Sequence, residues 1–125
     1  MKKIIHTINA PKAVGPYSQA VEANGTLYVS GQIPIDPVPG KMVEGGIKEQ
    51  TLQVMKNIGA ILHEAGLDYG QVVKCTCLLS DMDNFAAMNE VYATFFPENP
   101  PARAAFGVVR LPLNALVEIE CIAVR

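Results

Sequence analysis

The chain has 125 residues, half of them hydrophobic and 18% charged, which suits one domain around one core and leaves little room for a second. Ten Lys and Arg against twelve Asp and Glu give a net charge of -2, without the basic excess that phosphate-backbone binding requires, so nucleic acid is set aside as the default partner. The longest apolar runs fall far short of the roughly 20 residues that span a bilayer, and His6, Asn9 and Pro11 interrupt the start Met1-Lys2-Lys3-Ile4-Ile5 before a signal-peptide core develops, so the reading is a soluble, uncleaved, cytoplasmic protein with no membrane partner.

In chain order, Tyr17 to Ala23 and Thr26 to Gly31 flank Asn24-Gly25 and predict a hairpin, because a type I′ turn needs positive φ at both central positions. Residues 32 to 46 carry Pro34, Pro37, Pro39, Gly40, Gly45 and Gly46 and read as an irregular surface excursion. From Ile47 the positions Thr51, Val54, Met55, Ile58, Ile61, Leu62 and Ala65 repeat at three-and-four spacing, the stripe of an amphipathic helix that Gly66 ends. Val72 to Leu79 reads as a strand buried on much of both faces, and Ser80 to Asp83 as a capping-box start. Phe85, Met88, Tyr92, Phe95 and Phe96 form a second helical stripe, stopped by Pro97, Pro100 and Pro101. Two last strands are expected over Arg103 to Arg110 and Leu116 to Val124, joined through Pro112.

This order predicts an α+β domain over residues 1–125, with two helices packed on one face of a mixed β-sheet. In the last strand Val117, Ile119, Cys121 and Ala123 share one face. Leu116, Ile122 and Val124 share the other with Glu118 and Glu120. Both faces want cover that two helices cannot supply twice, so the free face is expected to be buried against other copies of the chain.

Three cysteines, Cys75, Cys77 and Cys121, are odd in number and read as small buried hydrophobes rather than a disulfide framework. His6 and His63 have no second ligand at metal spacing, so no metal is expected, and both are assigned to surface or packing roles. Ser18, Ser30 and Ser80 lack a nucleophile-elbow motif, and no glycine run has phosphate-loop spacing. More informative is Pro100-Pro101-Ala102-Arg103, where an Arg opens a strand directly after a rigid turn. Such an Arg either clamps a carboxylate or is an edge residue in solvent or an ion pair. Glu118 and Glu120, two apart on a largely apolar strand, are either exposed and paired or partly buried with raised pKa, the latter marking a functional site.

Gly15-Pro16-Tyr17-Ser18-Gln19-Ala20, Ser30-Gly31-Gln32-Ile33-Pro34, Pro101-Ala102-Arg103, Arg110-Leu111-Pro112 and Val117-Glu118-Ile119-Glu120 occur in order from about residue 6 to the end. Together they resemble the RidA/YjgF enamine and imine deaminases. The resemblance implies a chorismate-mutase-like fold assembled as a homotrimer with clefts between subunits. It also implies hydrolysis of 2-imino acids, such as 2-iminobutanoate and 2-iminopropanoate released by pyridoxal-phosphate-dependent dehydratases, to 2-keto acids and ammonia, with no cofactor. Carried over by position, Arg103 binds the substrate carboxylate and Glu118 holds or activates water. Tyr17, Ser30, Gly31 and Asn89 line the cleft, and Pro112 shapes its wall. Many members follow the arginine with Ser-Cys; here Ala104-Ala105 stand there, and only the backbone carbonyl of Ala105 is left to help place water. The competing expectations are a non-enzymatic binder of small carboxylates and, further off, a ribonuclease or translation inhibitor.

Overall fold

The computed structural model describes residues 1–125 as eight strands and two helices: β1 (Lys3–Ile5), β2 (Ala20–Ala23), β3 (Thr26–Gln32), β4 (Ile35–Asp36), β5 (Lys41–Met42), α1 (Ile47–Glu64), β6 (Val72–Leu79), α2 (Phe85–Phe95), β7 (Ala102–Gly107) and β8 (Val117–Val124). Six strands form one sheet in the order β1-β2-β3-β8-β6-β7, parallel only between β6 and β7; β4 and β5 make a separate two-residue hairpin. The α+β reading with a mixed sheet therefore holds. No helix is long and apolar enough to cross a membrane.

The Asn24-Gly25 turn has φ of 52° and 76°, the pair of positive values that the hairpin required. Helix α1 begins where the Glu49 carboxylate accepts from the Gly46 N–H at 2.9 Å. It ends at Gly66 (φ 77°) with Gly66 N–H donating to the His63 carbonyl and Leu67 N–H to the Leu62 carbonyl, a Schellman ending. Its stripe Val54, Met55, Ile58, Ile61 and Leu62 is fully buried against the sheet face that carries Leu27, Val29, Cys77, Val117 and Ile119. Cys75, Cys77 and Cys121 lie in this core as free thiols.

Several boundaries move, each for a local reason. The first hairpin strand starts at Ala20 rather than Tyr17, because Tyr17 N–H donates to the Gly15 carbonyl and the chain is still turning there. The excursion over 32 to 46 is not wholly irregular, since Gln32 continues β3 and β4 pairs with β5. Ser80 does not cap α2. The Asp81 carboxylate instead accepts from Asp83 N–H and caps a single 3-10 turn, Met82–Asn84, ahead of α2. β7 ends at Gly107 instead of Arg110, and β8 begins at Val117. β6 is fully buried on one face only: Cys75, Cys77 and Leu79 are enclosed, while Lys74, Thr76 and Leu78 face the other way and stay partly open.

One glycine is dictated by packing. The Tyr69 hydroxyl donates to the Met55 carbonyl at 2.6 Å, and a Cβ on Gly59, one turn along α1, would overlap that hydroxyl. Ala in place of mid-helix Gly normally stabilises by ~1 kcal/mol. Here overpacking and a lost buried hydrogen bond cost ~1–3 kcal/mol each and reverse the sign. Gly59→Ala is expected to destabilise by about 1 kcal/mol or more in chemical denaturation, and Tyr69→Phe in the same chain should recover part of the loss; a stabilised Gly59→Ala rejects this account.

Candidate functional site

A cleft of about 630 Å³ opens beside β3 and β8, and Tyr17, Ser30, Gly31, Pro112, Glu118 and Glu120 lie in its wall. Its shape begins with a register shift between Val29 and Gln32. Val29 pairs with Cys121 and Gln32 with Ile119, so β3 spends one extra residue there and bulges at Ser30-Gly31. The bulge brings Ser30 Oγ to donate to the Ser18 carbonyl at 2.6 Å, which fastens the turn that carries Tyr17. Gln19, buried, fastens the segment before it. Its Oε1 accepts from Thr7 N–H at 2.8 Å, and its Nε2 donates to the carbonyls of Thr7 and Pro11 at 3.0 and 2.8 Å.

Glu118 is half-buried and lies across Gly31: a Cβ built on that glycine would overlap the Glu118 carboxylate. A backbone without a side chain is what gives this carboxylate its place. Loss of solvent around it raises the Glu118 pKa above the usual carboxylate range, and the negative charge of Glu120 adds to the rise. The rise shifts this carboxyl toward the range in which a group serves as general acid and base.

Arg103 is elsewhere. It is the second residue of edge strand β7, in register with Cys75, so its side chain leaves on the helix-covered face. There its guanidinium carbon lies 5.3 Å from the ring centre of Phe85 and 5.0 Å from that of Tyr92, and Nη1 donates to Asn89 Oδ1 at 2.6 Å. Phe85, Asn89 and Tyr92 are i, i+4 and i+7 on α2, one stripe that forms a platform for the cation. Asn89, Tyr92 and Arg103 share a second cleft of about 450 Å³. Glu118 is in register with Leu78, on the face away from the helices. One chain thus holds Arg103 and Glu118 on opposite faces of its sheet. Ala105, in register with Cys77, follows Arg103 on the helix side and lines neither cleft.

Of the residues singled out in the sequence, Tyr17, Ser30, Gly31, Pro112 and Glu118 come together in one cleft, and Asn89 meets Arg103 in the other. Sequence reasoning missed the anchoring role of Gln19, the bulge, and the part of Phe85 and Tyr92 in holding Arg103. A buried amide gives no periodic signal, and the two aromatics also satisfy a core stripe. His6 and His63 are exposed. The thiols are poor nucleophiles, since burial pushes Cys77 up to about 12 and raises Cys75 and Cys121 as well. No three His, Cys, Asp or Glu side chains are grouped to hold a metal.

The raised Glu118 pKa has a stability consequence. A carboxyl whose folded pKa exceeds its unfolded value contributes stability below the unfolded pKa and loses it as pH rises through the folded pKa. Glu118→Gln is therefore expected to remove a fall in stability above about pH 4.5. Thermal midpoints of wild type and variant between pH 4 and 8 check this, and parallel curves reject it.

Residues 7–125 match the family model described as Endoribonuclease L-PSP. A RutC family protein of Pyrococcus horikoshii is 55% identical over 125 residues, all of this chain and 99% of that one. The 2-iminobutanoate/2-iminopropanoate deaminase of Mus musculus is 50% identical over 125 residues, covering all of this chain and 93% of its own. Among solved structures, E. coli TdcF with bound serine superposes with a TM-score of 0.94 at 40% identity, over 98% of each chain. With the family model covering nearly the whole chain and full-length relatives at half identity, this chain belongs to the RidA/YjgF family.

Proposed function

We propose that the protein hydrolyses reactive 2-imino acids, of the 2-iminobutanoate and 2-iminopropanoate kind, to 2-keto acids and ammonia, without a cofactor. It does so as a cytoplasmic homotrimer whose clefts lie between neighbouring copies. The observation that carries the reading is the separation of Arg103 and Glu118 onto opposite sheet faces. A site that uses both must take Arg103 from one copy and Glu118 from another, and the open face, with Tyr28, Leu78, Phe106 and Ile122, offers apolar area for that contact. The mouse relative's name and the serine held by TdcF support a substrate with a carboxylate beside a nitrogen-bearing carbon.

In this reading the guanidinium of Arg103, kept planar and oriented by Phe85, Tyr92 and Asn89, makes two parallel hydrogen bonds to the substrate carboxylate. That fixes which face of the C=N bond meets water. Water adds across it, oxygen to carbon, with one proton relayed through Glu118 to nitrogen, giving a carbinolamine. Glu118 then takes the hydroxyl proton and hands it to the amine as the C–N bond breaks, leaving keto acid and ammonia. A carboxyl with raised pKa suits both transfers. Free buried thiols accord with a reducing cytoplasm. The bound serine of TdcF also favours a second reading, a sensor that binds small carboxylates without turnover.

The test feeds wild type an imine made in place by a threonine dehydratase and traps what remains with semicarbazide. Wild type should suppress the semicarbazone, and Arg103→Ala should lose about 2.7–4 kcal/mol in kcat/KM. No suppression by wild type moves the assignment to the carboxylate sensor. Gly31→Ala, which crowds the Glu118 carboxylate, should lower kcat about 100-fold; near-normal turnover shows that Glu118 need not lie where it does. The shared site has its own check. Arg103→Ala and Glu118→Ala, inactive apart, should regain about a quarter of wild-type activity when unfolded together and refolded one to one, since random mixing joins an intact Arg103 to an intact Glu118 in that share of clefts. No recovery from mixed oligomers rejects shared sites.

A further inference from the structure

Val14, Ile33, Ile35, Pro112 and Leu113 give the Glu118 cleft an apolar part beside its polar groups. Leu113 stands out among these residues. It has φ 54° and ψ 27°, left-handed backbone that is costly for any residue with a branched side chain, and Asn114 follows at φ 56°. Asn enters that region readily, Leu only at a steric cost. Core packing does not compensate, because Leu113 is 65% exposed.

The turn is nevertheless held firmly. Leu111 and Ala115 are buried on either side of it. Asn114 N–H donates to the Leu111 carbonyl and Ala115 N–H to the Pro112 carbonyl, each at 3.1 Å. Leu116 N–H donates at 2.8 Å to Oε1 of Gln50, a buried amide on α1. Backbone strain maintained by its surroundings, with an apolar side chain exposed in a binding cleft, is the pattern of a residue kept for what it touches in a ligand. The same turn leads directly into β8, so Leu113 is tied to Glu118 by a short, rigid connection.

We infer that Leu113 is a specificity-determining residue: it selects 2-imino acids with extended aliphatic side chains over short or acidic ones. This rests on the proposed deaminase reading and adds the substrate's side-chain class and the residue that sets it. Lys12, exposed in the same cleft, is the one feature that points to an acidic side chain instead, and the test separates the two.

Imines of leucine, alanine and glutamate are generated in place by amino-acid oxidases of matching specificity, and kcat/KM is measured for wild type, Leu113→Gly, Leu113→Lys and Lys12→Ala. Gly suits the left-handed backbone, so Leu113→Gly should fold at least as well as wild type. Wild type should prefer the leucine-derived imine. Leu113→Gly should cut the leucine-to-alanine ratio about tenfold, mainly through KM, and Leu113→Lys should in addition favour the glutamate-derived imine. Leu52→Ala, on the exposed side of α1, is the control that should leave the ratio unchanged. An unaltered ratio in both Leu113 variants, or a wild-type preference for the glutamate-derived imine that Lys12→Ala abolishes, overturns the inference while leaving the deaminase in place. Affinities for 4-methyl-2-oxopentanoate and pyruvate give a readout independent of turnover, and Leu113→Gly should narrow the gap between them. If wild type hydrolyses no imine, the deaminase reading fails; an equal gap in wild type and Leu113→Gly then refutes the side-chain role too.

Discussion

The structure depends on the two-residue period of a pleated strand. Because successive side chains alternate, the register that puts Arg103 beside Cys75 sends the guanidinium to the helix side. The register that puts Glu118 beside Leu78 sends the carboxylate to the open side. Neither assignment is free to change: a one-residue slip of β8 would expel Val117, Ile119, Cys121 and Ala123 from the core. The hydrophobic effect that fixes the core thereby fixes the separation of the two charged groups. Their strand positions differ as well. β8 lies inside the sheet, flanked by β3 and β6, and holds its glutamate rigidly, whereas β7 is an edge strand that presents its arginine at the margin of the fold.

Around that division, backbone geometry sets the chemistry of each half. On the open side the extra residue in β3 places Ser30 and Gly31 against Glu118, and the missing side chain at Gly31 lets the carboxylate lie close to the backbone. Its raised pKa follows from that lost solvent and from Glu120 two positions along. On the helix side Arg103 is oriented by aromatic faces and one amide, groups that hold a guanidinium without neutralising it.

The elements most legible in the sequence were those where one local signal and the global pattern agree. Asn24-Gly25 needed only its own φ preferences, and α1 carried a long stripe with a glycine stop, so the turn and the helix appear where expected. The alternation in β8 likewise announced a two-faced strand. What stayed hidden depended on partners distant in sequence. Gln19 reaches Thr7, Gln50 reaches Leu116 across 66 positions, and the Ser30-Gly31 bulge exists only relative to β8. For Arg103 the two sequence readings, a solvent or ion-paired residue and a ligand clamp, differ in what lies around the guanidinium. Phe85 and Tyr92 supply that setting while also serving the stripe of α2, so their second role left no separate trace.

The distribution of paired and unpaired charge completes the picture. Both ion pairs, Lys48 with Glu90 and Arg125 with Glu22, lie outside the two clefts that hold Arg103 and Glu118, and the exposed Lys48–Glu90 pair contributes little stability. The segments around the main cleft are tied instead by neutral amides: Gln19 to residues 7–11, Asn57 to the carbonyls of Ile33 and Ile35, and Gln50 to Leu116. Neutral anchors fix a wall without placing a counter-charge in it. Arg103 and Glu118 each form no ion pair within their own chain. An arginine held planar and uncompensated on one face, with a half-buried, uncompensated glutamate on the other, is poorly explained by the stability of one chain. It accords with the proposed cleft, in which two copies offer these groups to one ligand.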